Sequence, residues 1–542
     1  MTQRQPRLHL LAMAALAMVA HTAQAQSDTS DAAKLERVVV TGSSIKRLAA
    51  ETASPVQIIS RQEIKQTGAN TVRQVLDTIT ATTTGELRDD GSANSFASGA
   101  SGVSMRGLGK GATLVLLNGR RVANFGLADG AKETFVNIDS IPADVIDRLE
   151  ILKDGASALY GSDAMAGVIN IITRTEYQGI GGQASYQSGM DPDIGKQTTV
   201  SMVAGFGDIV KDRFNVFANV EYYKRDRYFL SDVVGHYPEW HKRIVNPAFG
   251  DPSLVSYPGN FINGSARVAN PACPTDQRNS AGACTTNINS INQFSDGAER
   301  LNSFLMARVQ LSDNLELFGD ASYSKTRVDY LSIPFGINAP ATPFRWFDGN
   351  AKVVRQVNKP MLPTDHPLNT FGRPVGLEYR FMDPGLSWEA PAEATQYRVL
   401  AGLKGTFSDW DWEVTAGRVG SDAVKEGLAA HSATFIQAIE SNEYKIGGQN
   451  SPELLNRMFR SAAINGDNYQ NHIDAKMTGE LMRLPAGPLQ AAFGLEHRAE
   501  SVYIKSVDEV MRAELIGRGA LWVEGKRDLD AAYAEFEGPL VK

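Results

Sequence analysis

Beyond Thr175, the chain alternates between apolar and polar residues in long segments. In one segment, every second position is apolar, namely Phe214, Val216, Ala218, Val220 and Tyr222. Because successive side chains of a β-strand point to opposite faces of a sheet, this pattern predicts strands with one apolar face. We predict ten such strands, near residues 179–190, 196–208, 212–228, 299–313, 314–331, 393–410, 411–427, 471–487, 488–506 and 528–542.

The connections between these strands alternate in length. Tight turns are predicted near residues 207–212, 312–314, 408–412 and 485–488. The other connections are longer, with about eight, 70, 61, 43 and 21 residues. Transmembrane barrels typically have short turns at one end of the strands and long loops at the other end. A soluble β-sandwich also alternates, but its long loops would lie at both ends. The pattern therefore favours a membrane barrel.

The region before Thr175 has the pattern of a small α+β domain. Ser60–Glu63 is a capping box, and the helix after it has the spacing of one buried face, formed by Val72, Val75, Leu76 and Ile79. Two all-apolar segments, Leu114–Leu117 and Val168–Ile172, predict buried strands. Pro142 predicts the start of a helix that buries Val145, Ile146 and Leu149, before Glu150–Lys153 extends. Segments 91–102 and 124–134 are predicted to be exposed tips.

Residues 1–25 have the composition of a secretory signal peptide. Arg4 and Arg7 give a basic start, Leu8–Ala20 is an apolar core, and Ala23–Ala25 is a small-residue cleavage site. The core is shorter than the roughly 18 apolar residues that a membrane-spanning helix needs, and no other segment reaches that length. We therefore predict an exported chain that is either soluble or a membrane barrel.

Charge and cysteine content narrow the possible chemistry. The net charge of −7 gives no support for nucleic-acid binding. The two cysteines, Cys273 and Cys284, lie in a segment rich in Pro, Asn and Gly, which in an oxidising compartment favours a disulfide. A metal site would require further Cys or His at short spacing, and the sequence has none nearby. No metal site and no cofactor are predicted.

Three segments occur in an order that resembles a known family. They are "VSMRGLG" (103–109), "LVLLNGRRV" (114–122) and "IDSIPADVIDRLEILKDGASALYGSDAMAGVINIITR" (138–174). Together they resemble the plug domain of TonB-dependent outer-membrane receptors. The resemblance implies an α+β plug followed by a transmembrane antiparallel β-barrel in the outer membrane of a Gram-negative cell. The implied domains are a signal peptide (1–25), a periplasmic extension with a TonB box (26–45), the plug (46–175) and a partial barrel (176–542).

The resemblance also implies partners. The segment "LERVVVTGSS" resembles a TonB box, with the TonB-binding residues Glu36, Arg37, Val38, Val39, Val40, Thr41 and Gly42. An extended apolar segment can add to the sheet edge of a partner; the alternative is an ordinary first strand of the plug. The implied partners are TonB with its inner-membrane energising complex, the barrel-assembly machinery, outer-membrane lipid and an external small ligand of unknown class.

Candidate site residues follow from the same resemblance. The ligand is expected at the plug tips, where the candidates are Arg88, Asp89, Asn94, Phe96, Asn124, Phe125 and Asp129. Arg106 is expected to contact the barrel wall by pairing with plug or wall carboxylates; the alternative is a solvated surface arginine. Iron–siderophore, cobalamin, oligosaccharide and peptide all remain possible cargoes.

Three other functions compete with ligand transport. An enzyme is not predicted, because "GLGKGA" (107–112) lacks the spacing of a phosphate loop and no HExxH or GxSxG motif occurs. A passive porin would need neither a plug nor a TonB box. A surface receptor or adhesin that does not transport remains the alternative.

Ten strands are fewer than half of the 22 that the resemblance implies. At about 6.3 Å of circumference per tilted strand, ten strands would close a ring about 20 Å wide, and 22 strands a ring about 44 Å wide. A plug of about 130 residues is roughly 36 Å wide and fits the wider ring only. We therefore expect an N-terminal portion of a longer receptor, through truncation, a frameshift or a fragmentary gene model, or a non-functional fragment. Alone, it should fail to assemble as a heat-resistant barrel.

Overall fold

The computed structural model describes residues 41–45, 56–83, 87–91, 95–189, 194–236, 253–288, 291–338 and 342–539. All of them belong to one unit that spans Val39–Lys542. The predicted signal peptide, residues Glu36–Val40 of the predicted TonB box and Asn94 lie outside these ranges. Within the described ranges, none of the helices combines the length and apolar character needed to cross a bilayer.

The first part of the α+β domain is a strand followed by two short helices. Strand β1 (Val56–Ser60) leads into helix α1 (Arg61–Gln66), and Ser60 and Glu63 form the predicted capping box. Helix α2 (Val72–Leu76) follows, and its predicted apolar face is almost fully buried. Both predictions are confirmed. Capping fixes where α1 begins, because the Ser60 side chain accepts the Glu63 backbone N–H.

Five strands form the central sheet of this domain. They are β1 and β2 (Thr113–Leu117), β3 (Arg120–Arg121), β4 (Ile146–Leu152) and β5 (Gly167–Thr173), in the order β1-β4-β5-β2-β3. Strand β5 pairs with β2 in parallel, and the other neighbours are antiparallel. Strand β2 is buried along its whole length, as its all-apolar sequence predicts. Strand β4 lies inside the sheet, between β1 and β5.

The helix predicted from Pro142 is wrong. The structure has a short 3₁₀ turn at Ala143–Val145, and strand β4 begins directly after it at Ile146. A register shift between Ile146 and Arg148 marks a β-bulge. A bulge adds one residue to a strand, so that Ile146 and Leu149 are both buried despite their odd spacing. The bulge therefore produces the helix-like spacing that misled the prediction.

The second part of the chain forms one antiparallel sheet of ten strands, and these correspond to the ten strands predicted from the alternation. Each strand pairs with its neighbours in sequence, so that β6 and β15 are the two edges within the described residues. In chain order the strands are β6 (Gly179–Gln187), β7 (Gln197–Phe206), β8 (Phe214–Arg225), β9 (Gly297–Ser312), β10 (Leu315–Asp329), β11 (Ala392–Phe407), β12 (Trp410–Lys425), β13 (Ile464–Leu484), β14 (Gly487–Ser506) and β15 (Trp522–Glu537).

The two faces of this sheet have opposite character. On β8, Asn215, Asn219 and Glu221 are buried on the inner face, which contacts the α+β domain. On the outer face, Val216 and Val220 are 37% and 50% exposed. A sheet with an apolar outer face and a polar inner face matches the wall of a transmembrane barrel, whose lipid side is apolar and whose interior is polar.

The long connections of the ten-stranded sheet fold together into a unit that we call the cap, formed by the described parts of 226–296, 330–391, 426–463 and 507–521. Its core contains side chains from all four connections, among them Phe261, Phe381, Phe435 and Ile516. The strand Val375–Arg380 is buried along its whole length, and the helices Ser432–Glu440 and Pro452–Met458 pack beside it. Cys273 and Cys284 form a disulfide in the first connection.

Candidate ligand cavity and plug contacts

A cavity of about 750 Å³ lies between the tip of the α+β domain and the cap. The tip contributes Asp90, Gly91 and Phe96, and the cap side contributes aromatic rings that include Phe294, Tyr330 and Phe347. Phe96 and Phe347 are 38% and 46% exposed, so that their rings are open to an occupant. The size is that of a typical small-molecule site, and the lining combines aromatic rings with charged side chains such as Lys425, Glu426 and Arg518. This cavity is the candidate ligand site.

The predicted tip residues differ in whether they line the cavity. Phe96 lines the cavity. Arg88 donates from two of its guanidinium nitrogens, Nε and Nη2, to the cavity residue Asp90, each at 2.7 Å. Asp129 accepts from Ser95 at 2.9 Å and pairs with the buried Lys110 at 3.0 Å. Asn124 is only partly buried. None of Arg88, Asn124 and Asp129 lines the cavity.

Two of the predicted ligand residues are corrected by their burial. Phe125 is 2% exposed and packs on Phe135 with ring centroids 5.6 Å apart. Their cluster includes residues of the ten-stranded sheet, which we call the wall. Asp89 is also buried and contacts the wall rather than the cavity. Both side chains hold the tip in place, because their contacts are made with strands that lie far away in the sequence.

Asp89 is the centre of a buried ion cluster between the α+β domain and the wall. Its two carboxylate oxygens accept from Arg225 of β8 at 3.0 Å and from Arg300 of β9 at 2.9 Å. Burial by itself would raise the pKa of Asp89, but the positive charges of Arg225 and Arg300 outweigh it and lower that pKa. Asp89 is therefore an anion at neutral pH.

Arg300 also reaches a second carboxylate, that of Asp139, at 3.4 Å. Asp139 lies in a 3₁₀ turn (Ile138–Ser140), and its backbone oxygen accepts from Asn302 of β9 at 3.2 Å. Burial raises the pKa of Asp139; Arg300 opposes this shift and Asp89 adds to it. One guanidinium thus joins two separate segments of the α+β domain.

The contact with β11, β12 and β13 is also polar, and we call it the polar seam. Arg120 of β3 pairs with Glu413 and with Asp474, the latter at 3.3 Å. Arg398 of β11 donates to the Arg121 backbone oxygen at 3.1 Å while it pairs with Asp320. Arg120 therefore reaches from the α+β domain to carboxylates of the wall, and Arg398 reaches from the wall to the backbone of the domain.

Two glycines bring main chains together within the polar seam. A Cβ atom added at Gly126 would lie 2.5 Å from the Gly466 oxygen, and one added at Gly466 would lie 2.2 Å from the Gly126 oxygen. Real Cβ contacts are not this short, so neither position has room for a side chain. The Gly126 N–H also donates to Ser421 of β12 at 3.1 Å. The seam is therefore closed by backbone contact at this point.

Beside these polar contacts, β7, β8 and β9 have an apolar patch against the α+β domain, and we call this patch the apolar contact. Val203, Phe217, Phe304 and Met306 of these strands belong to the same hydrophobic cluster as Ile141 and other core residues of the α+β domain. The rings of Phe217 and Phe304 have centroids 6.0 Å apart. The core of the domain thus continues into the wall on this side.

The predicted wall contact of Arg106 is not what the structure has. Arg106 has a φ of 54°, and its side chain is exposed and donates to the Ala166 backbone oxygen at 2.9 Å. No wall carboxylate among the described residues lies within ion-pair distance of it. Arg106 therefore braces a turn within the α+β domain, and Arg120 makes the wall contact instead.

Thr41, in the predicted TonB box, is anchored inside the α+β domain. Its backbone N–H and its hydroxyl both donate to Glu150 of β4, at 3.0 and 2.6 Å, and the hydroxyl accepts from Asn170 at 3.0 Å. Just after it, the Ser44 N–H donates to Glu535 of β15 at 2.8 Å. Thr41 is 3% exposed, whereas the neighbouring Gly42 is exposed.

Sequence reasoning did not single out Arg225, Arg300, Glu150 or Arg120. A usable signal existed for the first two, because both occupy inner-face positions of long alternating strands, where a full charge needs a partner. Within the described ranges, no cluster of three or more Cys, His, Asp or Glu side chains could hold a metal ion.

Comparison with known proteins gives a consistent result. Residues 49–168 match the family model described as the TonB-dependent receptor plug domain. The chain is 36% identical over 149 residues to the vitamin B12 transporter BtuB of Vibrio cholerae serotype O1, covering 28% of this chain and 22% of that protein. It is 32% identical over 173 residues to BtuB of Vibrio vulnificus, covering 32% and 26%. The chain thus matches only about a quarter of the length of these relatives.

Solved structures with a similar arrangement include two receptors from Pseudomonas aeruginosa. The ferric enterobactin receptor has a TM-score of 0.46 at 14% identity and covers 90% of this chain and 60% of its own. The ferripyoverdine receptor has a TM-score of 0.49 at 11% identity and covers 92% and 51%. The relatives that share sequence are transporters by name, in agreement with the prediction that the chain is not an enzyme.

Proposed function

Because this chain belongs to the TonB-dependent receptors through its plug domain, we propose that it binds an external ligand and imports it across the outer membrane with energy delivered by TonB. The observation that carries the proposal is the position of the plug, which packs through both apolar and charged side chains against the inner face of a sheet whose outer face is apolar. A domain held inside the wall of a membrane barrel can gate uptake, whereas an open pore does not require such a domain.

The proposal assigns the two ends of the plug to two partners. The cavity between the plug tip and the cap receives the ligand, with Phe96 and Phe347 as contact residues. At the other end, residues 36–42 pair edge-on with TonB, as an extended segment can do with an exposed strand. The ligand class stays open, because the similarity to vitamin B12 transporters covers less than a third of this chain.

Ten strands do not surround a plug of this size, so the working receptor has further strands. Each of the two edge strands of the sheet has a row of backbone groups without a partner strand in the described residues. In lipid, every unsatisfied backbone group costs several kcal/mol. We therefore propose a wider ring around the plug, completed by additional polypeptide, embedded in outer-membrane lipid and inserted by the barrel-assembly machinery.

Deletion of residues 36–42 tests the proposal. The full chain should be captured by the purified periplasmic domain of TonB, and the deletion should abolish capture, because the edge-pairing segment is gone. The control is a deletion of residues 26–31 from the same extension, which should leave capture unchanged. Equal capture of both deletion variants would contradict the TonB-box assignment.

A second arm of the experiment separates transport from binding. Cyanocobalamin is the first probe, because relatives of this chain are vitamin B12 transporters by name. In the receptor completed by its additional strands, the 36–42 deletion should retain any binding of cyanocobalamin and should lose its uptake. Uptake that persists in the deletion variant would indicate a passive pore or a different energy source.

A further inference from the structure

Aromatic side chains mark both ends of the apolar outer face of the wall. On the cap side, Tyr323, Tyr397 and Tyr469 lie in one row that crosses β10 to β13. On the side of the tight turns, the exposed Phe407 ends β11. At about 3.3 Å per residue and a strand tilt of about 40°, Tyr397 and Phe407 are about 25 Å apart along the membrane normal. This is the height of the apolar band of an outer-membrane barrel, so the tyrosine row marks its boundary on the cap side.

Arg418 of β12 lies one row deeper than these tyrosines, on the apolar part of the outer face. Its partner in the register is Val399 of β11, and Val399 and the nearby Ile473 are exposed apolar residues. Arg418 is exposed as well. No carboxylate in the described part of the chain lies within ion-pair distance of its guanidinium group. A positive charge at this depth in a membrane is costly unless it has an anionic partner.

Neighbouring side chains hold the guanidinium group of Arg418 in place without neutralising it. Its Nε donates to the Tyr397 hydroxyl at 3.4 Å, and its Nη1 donates to the Asn471 Oδ1 at 3.5 Å. The guanidinium carbon lies 4.8 Å from the centroid of the Tyr469 ring. A side chain at Gly420 would collide with the Tyr397 ring, so this arrangement depends on a glycine there. Both hydrogen bonds are long and both acceptors are neutral, which leaves the charge and the remaining N–H groups available to an anion.

The charges around Arg418 favour an anion that arrives from the lipid phase. Asp422 and Asp467 face each other across β12 and β13, four positions nearer the cap than Arg418 and Asn471, or about 13 Å along the strands. A dissolved anion that approaches from the cap side is repelled by these two carboxylates. A phosphate at the head of a lipid reaches Arg418 from the membrane itself, and the planar guanidinium fork matches two phosphate oxygens.

We propose that Arg418, together with Tyr397 and Tyr469, forms a binding site for the phosphate group of an outer-leaflet lipid on the outer surface of the wall. This inference rests on the proposed function, which places the wall in the outer membrane. The lipid phosphate supplies the negative charge that Arg418 does not receive from the described residues. The acyl chains of the same lipid lie along exposed apolar side chains such as Val399 and Ile473.

Binding of diphosphoryl lipid A tests this site. The receptor is purified from outer membranes in detergent together with its additional strands, and native mass spectrometry measures the lipid-bound fraction across a titration. Arg418→Gln should raise the apparent Kd about tenfold, because the charge and the fork are lost. Tyr469→Leu keeps the charge but removes the ring beneath it, and it should raise the Kd about threefold. Lipid A without its phosphates should bind equally weakly to the unmodified receptor and to both variants.

Arg327→Gln is the matched control. Arg327 is also an exposed arginine of the outer face, but it already pairs with Asp329 and Glu393 at 2.9 and 2.6 Å, so its replacement should leave the Kd unchanged. An unchanged urea midpoint in Arg418→Gln shows that the wall is intact in that variant.

Three results would overturn the lipid site. They are an unchanged Kd in both Arg418→Gln and Tyr469→Leu, equal weakening by Arg327→Gln, and displacement of lipid A by inorganic phosphate at millimolar concentration, which would indicate a site for free anions. The readout involves neither the transported ligand nor TonB, so that failure of this test and failure of the TonB-capture test are distinguishable.

Discussion

The plug is held by two unlike surfaces of the same wall. On the apolar contact with β7–β9, Phe217 and Phe304 continue the core of the plug into the wall. On the polar seam with β11–β13, Arg120 and Arg398 share charges and hydrogen bonds across the interface. Apolar packing depends on close shape complementarity, whereas ion pairs and hydrogen bonds can be exchanged for water.

The difference indicates how a plug can be stable and still releasable. A cavity of about 180 Å³ lies on the polar seam next to Arg120 and Thr41. His472 lines this cavity, is 6% exposed and has no hydrogen-bond partner for either ring nitrogen among the described residues. Polar contacts can be exchanged for water when two surfaces separate, so we expect the apolar contact to contribute more to plug docking than the polar seam does.

Phe217→Ala should give the largest effect on plug docking. Replacing a buried phenylalanine by alanine costs about 3–5 kcal/mol, because a cavity remains where the ring was. A urea titration of the full chain, followed by protease cleavage of the released plug, measures the change in midpoint. Val216→Ala, the neighbour on the outer face, is the control and should leave the midpoint in place. An unchanged midpoint for Phe217→Ala would show that the apolar contact does not hold the plug.

Glu413→Gln should have a smaller effect, about 1 kcal/mol, measured in the same titration. Arg120 keeps Asp474 at 3.3 Å and Thr415 at 3.0 Å after this change, so that its guanidinium is not left without acceptors. Glu393→Gln is the control, because Glu393 pairs with an exposed wall arginine, Arg327. A loss as large as that of Phe217→Ala would remove the distinction between the two surfaces.

Acidification should give the smallest effect, because Asp89 and Asp139 oppose each other. The lowered pKa of Asp89 contributes docking stability that is lost as the pH falls through its docked value. The raised pKa of Asp139 has the opposite sign, since its contribution is present at low pH and is lost as the pH rises through its docked value.

The two contributions can be separated by substitution. In Asp139→Asn, the gain in docking stability that the unmodified chain shows as the pH falls toward about 4 should be absent, and only the loss below about pH 4, where Asp89 becomes protonated, should remain. Phe217→Ala should shift the urea midpoint without changing this pH dependence. An identical pH dependence in Asp139→Asn and the unmodified chain would contradict the opposing shifts.

The ten strands were predictable because the wall has a simple period. Each of its strands has apolar residues on the outer face and polar residues on the inner face, so that a local sequence pattern is sufficient to find the strands. The capping box at Ser60 and the buried face of α2 were predictable for the same reason, since both depend on residues a few positions apart. The bulge at Ile146 broke the period of β4 and produced a false helix.

The site was less predictable because its residues are brought together by the fold. Asp89 and Phe125 lie in polar, glycine-containing segments that indicate exposed tips, yet their burial depends on Arg225, Arg300 and other wall residues more than a hundred positions away. Arg106 was assigned to the wall from its motif, and only its positive φ and its hydrogen bond to Ala166 show the local role.

The contact of Gly126 with Gly466 restricts how any opening along the polar seam can occur. Exposed side chains rotate out of a path within nanoseconds, but a main chain that is paired into a sheet on both sides cannot turn aside. Gly466 is such a residue, since β13 pairs with both β12 and β14. A gap at this level therefore requires the whole loop around Gly126 to move away from β13 as one unit. A solute at this point then meets a path that is either closed or open, with no partly open state.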